Sequence, residues 1–176
     1  MLKLLLEQSG GILYGSLSQE QFSFLVGRQI HDAVGIAQEF LHLVKMRNML
    51  AMIVKVNLSK AYDRVNWLFL GLFLLQVGFH LQVVNWIISC VQSMSFNVLF
   101  NGLASHVFRS VRGLREGCNL APLLFLLDVE QLSRVITQAT SHGSFIGILI
   151  GGHIRVSYLL FLDDILFFQM DPKEKF

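Results

Sequence analysis

Two adjacent carboxylates, Asp163 and Asp164, stand inside the otherwise apolar run Tyr158-Leu-Leu-Phe-Leu-Asp-Asp-Ile-Leu-Phe-Phe168. Ionised carboxylates among apolar residues are costly unless a partner or a metal ion offsets their charge. Apolar residues on both sides of the pair predict a hairpin of two buried strands with the acids at its tip. A hard, oxygen-seeking divalent cation such as magnesium would compensate both charges there. Without a metal, two like charges side by side predict that at least one of the pair binds a proton more readily than a free Asp. The plainer reading is a turn that happens to use Asp-Asp, since Asp is a common turn residue. The acids alone do not separate the two.

The rest of the chain must supply elements that position them. From Ile30 to Lys45 apolar residues recur at helical spacing (Ile30, Val34, Ala37, Leu41, Val44), which predicts an amphipathic helix. Ala51 to Val56 is short, rich in β-branched residues and almost continuously apolar, which predicts a strand buried on both faces and ending at Asn57. Helices are expected over about 65–77, stopped by Gly78, and over about 81–94. Phe96 to Phe100, then Asn101-Gly102, then residues to Phe108 predict a hairpin on the strongest short turn signal available. Gly113 to Gly117 reads as a loop, and Pro122 suits the first turn of a helix over about 121–138. The apolar first half of that helix should be buried. A break at Ser141 to Ser144, a strand over 145–150, a Gly151-Gly152 turn and the acidic hairpin over 154–168 complete the order. No internal repeat or linker is visible, and the mixed order predicts an α+β fold with a mostly antiparallel sheet.

A chain of 176 residues is long enough for one domain with a core. With 53% hydrophobic and 15% charged residues and a mean hydropathy of +0.56, it is unusually apolar. A membrane protein, a piece of something larger and a sequence drifting free of selection would each account for that. Gln76, His80, Gln82 and Asn85 interrupt Trp67 to Val91, leaving no clean span of the roughly 20 residues a bilayer helix requires. The N-terminal Met1 to Gln8 has too short an apolar core for a secretory signal, so an intracellular location, nuclear or cytoplasmic, is expected. Cys90 and Cys118 are far apart and lack a metal-binding histidine pattern, which argues against a disulfide framework or a zinc site. A net charge of +2 does not by itself argue for nucleic acid. Its placement says more, because Lys60, Arg64, Arg109, Arg112 and Arg115 lie close to the segments that follow.

Four segments stand in a familiar order: Gln21-Phe-Ser-Phe-Leu-Val-Gly-Arg28, Val56-Asn-Leu-Ser-Lys-Ala-Tyr-Asp-Arg-Val65, Arg112-Gly-Leu-Arg-Glu-Gly-Cys-Asn-Leu-Ala-Pro122 and Phe161-Leu-Asp-Asp164. Together they resemble the reverse transcriptase of non-LTR (LINE-type) retrotransposons, especially those abundant in plants, over nearly the whole chain. The resemblance implies a right-hand polymerase, with residues 1–48 as part of the fingers, 49–176 as an α+β palm of antiparallel sheet packed on helices, and no thumb. It implies an RNA template, a DNA primer and deoxynucleoside triphosphates as partners, no membrane, and two magnesium ions for nucleotidyl transfer. Asp163 and Asp164 inherit metal-binding roles. Tyr62 matches the aromatic that packs under the incoming sugar, and a core aromatic at a helix start is the other reading of it. Arg28 and Lys60 are placed to meet phosphate, with plain surface solvation equally open for Lys60.

The chain also departs from that family. Asn57 stands where the family carries its first metal-binding aspartate, and a neutral amide holds a hard dication weakly. Glu116 replaces a glutamine near the nucleotide and would repel a triphosphate. Asn119 and Ala121 replace Pro and Ser, Leu162 replaces a small residue, and Val26 stands where proline is common. A partial, relic copy, catalytically impaired, is the expectation. A non-catalytic module that kept the palm to grip nucleic acid or a protein is the alternative, and a membrane protein with Trp67 to Val91 inserted is a third.

Overall fold

In a computed structural model, residues 17–23, 27–143, 146–150 and 154–170 are described. Val26, Phe145, Gly151 and Gly152 lie outside them. The chain forms two compact units. One is built from Lys60–Val129 with Leu17, the other from Ser18–Ser59 and the described part of Glu130–Phe176.

The second unit carries the acids. Helix α1 (Ile30–Met46) opens where the Gln29 N–H donates to the Asp32 carboxylate at 2.8 Å, satisfying one otherwise orphaned donor. Strand β1 (Ala51–Asn57) follows, as the apolar run predicted, but it is not buried on both faces. Met52, Ile53, Val54 and Val56 are 37% to 56% exposed. The reason is topological: among the described residues β1 pairs only with β9 (Asp164–Met170), which pairs in turn with β8 (Tyr158–Phe161), so β1 is an edge strand, and α1 packs on β8 and on β6 (Ile148–Ile150) instead. An apolar β-branched run fits an edge as well as a centre.

The acidic segment is divided more finely than one hairpin. Strand β6 (Ile148–Ile150) pairs antiparallel with β7 (Ile154–Val156), and β8 (Tyr158–Phe161) pairs antiparallel with β9 (Asp164–Met170). A core of Phe22, Ala33, Phe40, Ile148, Val156, Leu159, Phe168 and Met170 lies between α1 and the strands. Within it the Phe40 and Phe168 rings meet at 4.6 Å.

The first unit holds a short helix α2 (Ala61–Arg64), then α3 (Trp67–Val77) and α4 (Leu81–Gln92). Asn66 caps α3 through the N–H groups of Leu68 and Phe69, and Gly78, at φ +105°, ends it, a backbone conformation that favours glycine. The two helices approach closely at Gly71, where an added Cβ would sit 3.6 Å from Ile88. They also divide the most apolar stretch of the chain, and among the described residues no helix is long and apolar enough to cross a membrane. The expected hairpin follows as two short ladders, β2 (Ser95–Phe96) with β5 (Phe108–Arg109) and β3 (Leu99–Phe100) with β4 (Leu103–Ala104). Helix α5 (Ala121–Ser141) begins in this unit and ends in the other. Its first half is buried through Leu124, Phe125, Leu126 and Leu127. Helices plus antiparallel strands make the chain α+β, as predicted.

Candidate active site

In the second unit, the β1–β9 register sets Asn57 opposite Asp164. A two-residue turn, Leu162-Asp163, joins Phe161 to Asp164, so the acid pair straddles the end of β9. Asn57 Nδ2 donates to Asp163 Oδ2 at 3.1 Å and to Asp164 Oδ1 at 3.0 Å, across 106 and 107 residues of sequence. The Leu58 N–H donates to the Asp163 carbonyl at 2.7 Å. Lys55 Nζ lies 2.9 Å from Asp164 Oδ2. Lys55 and Asn57 are two residues apart on a strand and share a face, and Lys55 is the diagonal neighbour of Asp164 across the ladder.

These contacts decide the electrostatics of Asp164. The acids are half-buried, with the Asp164 side chain 33% exposed, so desolvation is mild. Asp164 does not hold its proton more readily. The Asn57 amide hydrogens, and then Lys55, hold its carboxyl below the ordinary value of 3.8, because donors to a carboxylate favour its charged form.

The turn is anchored from elsewhere in the same unit. Leu162 adopts φ +54°, which costs an L-residue about 1–2 kcal/mol. The buried Ser23 hydroxyl accepts the Leu162 N–H. The backbone just before Ser23 runs along the outer edge of β8, with Phe22 N–H on the Leu160 carbonyl at 3.0 Å and Leu160 N–H on the Glu20 carbonyl at 2.9 Å. Arg28 Nη1 donates to the carbonyls of Ser18 and Gln21, each at 2.7 Å, and of Gln19 at 3.3 Å.

In the first unit, the motif at Tyr62 to Val65 meets the loop at 113–116. Gly113 N–H donates to the Val65 carbonyl and Leu114 N–H to the Tyr62 carbonyl, both at 2.8 Å, and Trp67 Nε1 donates to the Gly113 carbonyl at 2.7 Å. Only glycine fits at position 113. Its φ is +91°, and a Cβ would meet the Asp63 carbonyl oxygen at 2.9 Å. Tyr62 stacks on Phe125 with centroids 4.4 Å apart and planes at 19°. Burial, and then the negative charge of Glu116, push the Tyr62 phenol up. Lys60 is exposed, at φ +53°, just before α2.

Of the predicted site residues, Asn57, Asp163 and Asp164 converge in one unit, and Tyr62 and Glu116 interact in the other. Sequence reasoning missed Lys55 and Ser23. Lys55 had a signal, as the one charged residue in the β1 run and two positions from Asn57; Ser23 had none. The donor set does not fit a pair of divalent cations. Two carboxylates are present, but the third position turns amide hydrogens toward them and an ammonium group stands on the far oxygen. Among the described residues no group of three or more His, Cys, Asp or Glu could hold a metal ion.

Residues 1–175 match the family model described as reverse transcriptase (RNA-dependent DNA polymerase). An uncharacterized mitochondrial protein of Arabidopsis thaliana is 39% identical over 72 residues, 39% of this chain and 59% of that protein. The transposon TX1 149 kDa protein of Xenopus laevis is 26% identical over 119 residues, 68% of this chain and 9% of that protein. The chain thus spans less than two thirds of either relative. Two solved telomerase structures share the fold at a TM-score of 0.60. The apo enzyme of Candida tropicalis is 15% identical, with 95% of this chain and 34% of that one covered. The Candida albicans enzyme, in complex with a fragment of telomeric RNA, is 13% identical, with 97% and 30% covered. The match along nearly the whole chain and the polymerase-type fold bear out the resemblance drawn from the four motifs, and the chain belongs to the reverse transcriptase (RNA-dependent DNA polymerase) family.

Proposed function

We propose that this chain is the reverse transcriptase domain of a non-LTR retrotransposon, with part of the fingers in residues 1–48 and the palm in 49–176, and that its nucleotidyl transfer is impaired. The observation that carries this reading is the meeting of Asn57 with Asp163 and Asp164 at one end of the β1–β9 ladder. Asp163 and Asp164 occupy the family's metal-binding positions, and Asn57 occupies that of the absent third acid. A divalent metal goes with the family; here the Asn57 amide and the Lys55 ammonium supply the positive partners instead, so magnesium binding is weakened or lost. An RNA template, a DNA primer and deoxynucleoside triphosphates are the partners this reading assigns.

In the other unit, Tyr62 serves the sugar of the incoming nucleotide and Lys60 its phosphates. The Glu116 charge that reaches the Tyr62 phenol would then act on the triphosphate as well, and like charges repel. Both departures point the same way, one removing attraction for a cation and the other adding repulsion of the substrate.

The test is primer extension on an RNA template, comparing the unmodified chain with the Asn57→Asp/Glu116→Gln double variant. Losing one preorganised electrostatic group typically costs on the order of 10²–10³ in rate, so the double variant should exceed the unmodified chain by at least that factor, and only with magnesium. Efficient extension by the unmodified chain would contradict the impairment. A parallel magnesium titration should move the Asp163 and Asp164 carboxyl signals in the Asn57→Asp variant and leave them in place in the unmodified chain.

A further inference from the structure

We infer that Ser23 and Arg28 are positioning residues for the acid turn: they hold Leu162, and through it Asp163, in the conformation that meets Asn57. The pairing of the backbone around Gln21 with Leu160 is a parallel bridge, with Leu160 N–H on Glu20 and Phe22 N–H on Leu160. The next rung of a parallel ladder would join the Leu162 N–H to the Phe22 carbonyl. That rung is made by the Ser23 hydroxyl instead.

The replacement matters because of where it falls. Ser23 is 2% exposed, so without its oxygen the Leu162 N–H would be an unpaired donor in a dry setting. Leu162 is also the residue held at φ +54°, and a non-glycine residue keeps such a conformation only where its surroundings over-determine it. Ser23 fixes the N–H of Leu162, and the next residue is Asp163.

Arg28 makes the support rigid. Through Nη1 its guanidinium meets three carbonyls of the segment leading to Ser23, with the two hydrogens on that nitrogen matched by the two shortest contacts, to Ser18 and Gln21. The start of the segment is tied to α5. Ser18 donates to the Glu130 carboxylate through its N–H at 3.0 Å and its hydroxyl at 3.1 Å, and Ser133 donates to Ser18 Oγ at 2.6 Å. Helix, segment and acid turn form one connected support within the second unit. In this assignment the charge of Arg28 is spent on backbone rather than on phosphate.

The catalytic meaning of this support rests on reading Asp163 and Asp164 as the family's acid pair. Its test does not, since it needs neither magnesium nor extension, so failure of the activity experiment leaves it intact. The measurement is NMR of the whole chain without metal, following amide exchange at Leu162 and the side-chain amide signals of Asn57. In the unmodified chain the Leu162 amide should be protected. Ser23→Ala should speed its exchange roughly 10- to 100-fold and shift the Asn57 signals toward those of a free amide, while Phe168, farther down β9, stays protected. Ser23→Thr should restore both signals, and Arg28→Lys should move both part of the way. A freely exchanging Leu162 amide in the unmodified chain overturns the inference. So does a Ser23→Ala protein that melts earlier yet leaves the Asn57 signals in place, because that is the mark of a merely structural bond. If Ser23→Ala does not fold, exchange in the unmodified chain and the response of the Asn57 signals to Arg28→Lys still decide.

Discussion

Two tight turns among the described residues, Asn101-Gly102 and Leu162-Asp163, reach the same end by opposite means. At Asn101-Gly102 both central residues have positive φ, +49° and +80°, and both are types that accept it readily. The turn is self-sufficient, and little else supports it. Its innermost ladder is two residues long, and Leu99, Phe100 and Leu103 at its end are more than 70% exposed. At Leu162-Asp163 the chain uses a residue poorly suited to positive φ, and the conformation is maintained by the Ser23 hydroxyl, a seven-residue register with β1 and a four-residue register with β8. Local propensity builds the hairpin with no predicted site residue. Tertiary support builds the one that carries the acids, which is where strain is expected to collect.

The strongest way to break this contrast is to remove the support. Leu160 is fully buried in β8, and Leu160→Ala should cost about 2–5 kcal/mol by denaturant unfolding, as buried leucine truncations do. Phe100→Ala at the other hairpin should change global stability by less than about 0.5 kcal/mol. Comparable losses at the two positions would end the comparison.

The acids of the two units offer a second contrast, of opposite sign. Asp128 on α5 is pushed up to about 6 by burial. Its folded-state value therefore lies above its unfolded one, the native state binds the extra proton between about pH 4 and 6, and stability falls as pH rises through that window. Asp128→Asn should stabilise the protein at pH 7 by up to about 2 kcal/mol, with the gain vanishing near pH 4; equal pH profiles for variant and parent would refute it. Asp164 runs the other way. Its folded-state value is depressed, so its contribution is present above about pH 4 and is lost as pH falls through that lower value. Amide protection at the acid turn should therefore fade in strong acid, while the Asn101-Gly102 hairpin, with no carboxylate between Ser95 and Arg109, should not respond.

A smaller effect sharpens the local side of the contrast. Gly102→Ala places a Cβ at φ +80° and should cost about 1 kcal/mol, confined to its own hairpin. Protection of the Ser105 amide, which donates to the Val98 carbonyl at 2.8 Å, should drop while that of Phe168 is unchanged.

Sequence patterns revealed whatever depended on neighbours in the chain. The helical repeat from Ile30 marked α1 to within a residue of its end, Gly78 marked the end of α3, and Asn101-Gly102 marked the turn. The motif order also brought Asn57 to Asp163 and Asp164 across more than 100 residues, because a shared family pattern encodes long-range register. What stayed hidden lacked a local signature. The β1 run could not say that it was an edge, Ser23 looked like any other serine, and the depressed Asp164 carboxyl came from hydrogen bonds that no spacing announces.

The Leu58 N–H on the Asp163 carbonyl has a consequence for how this molecule ages. Asparagine deamidates when the backbone nitrogen of the next residue attacks the side-chain carbonyl, and the product is largely isoaspartate with some aspartate. Here that nitrogen is engaged at 2.7 Å, the following residue is a bulky leucine, and the leaving amide is itself held by two carboxylates. Spontaneous conversion of Asn57 to an acid is thereby suppressed while the fold persists. A single-base change in the gene, converting an asparagine codon to an aspartate codon, is the direct route by which a third carboxylate would join Asp163 and Asp164.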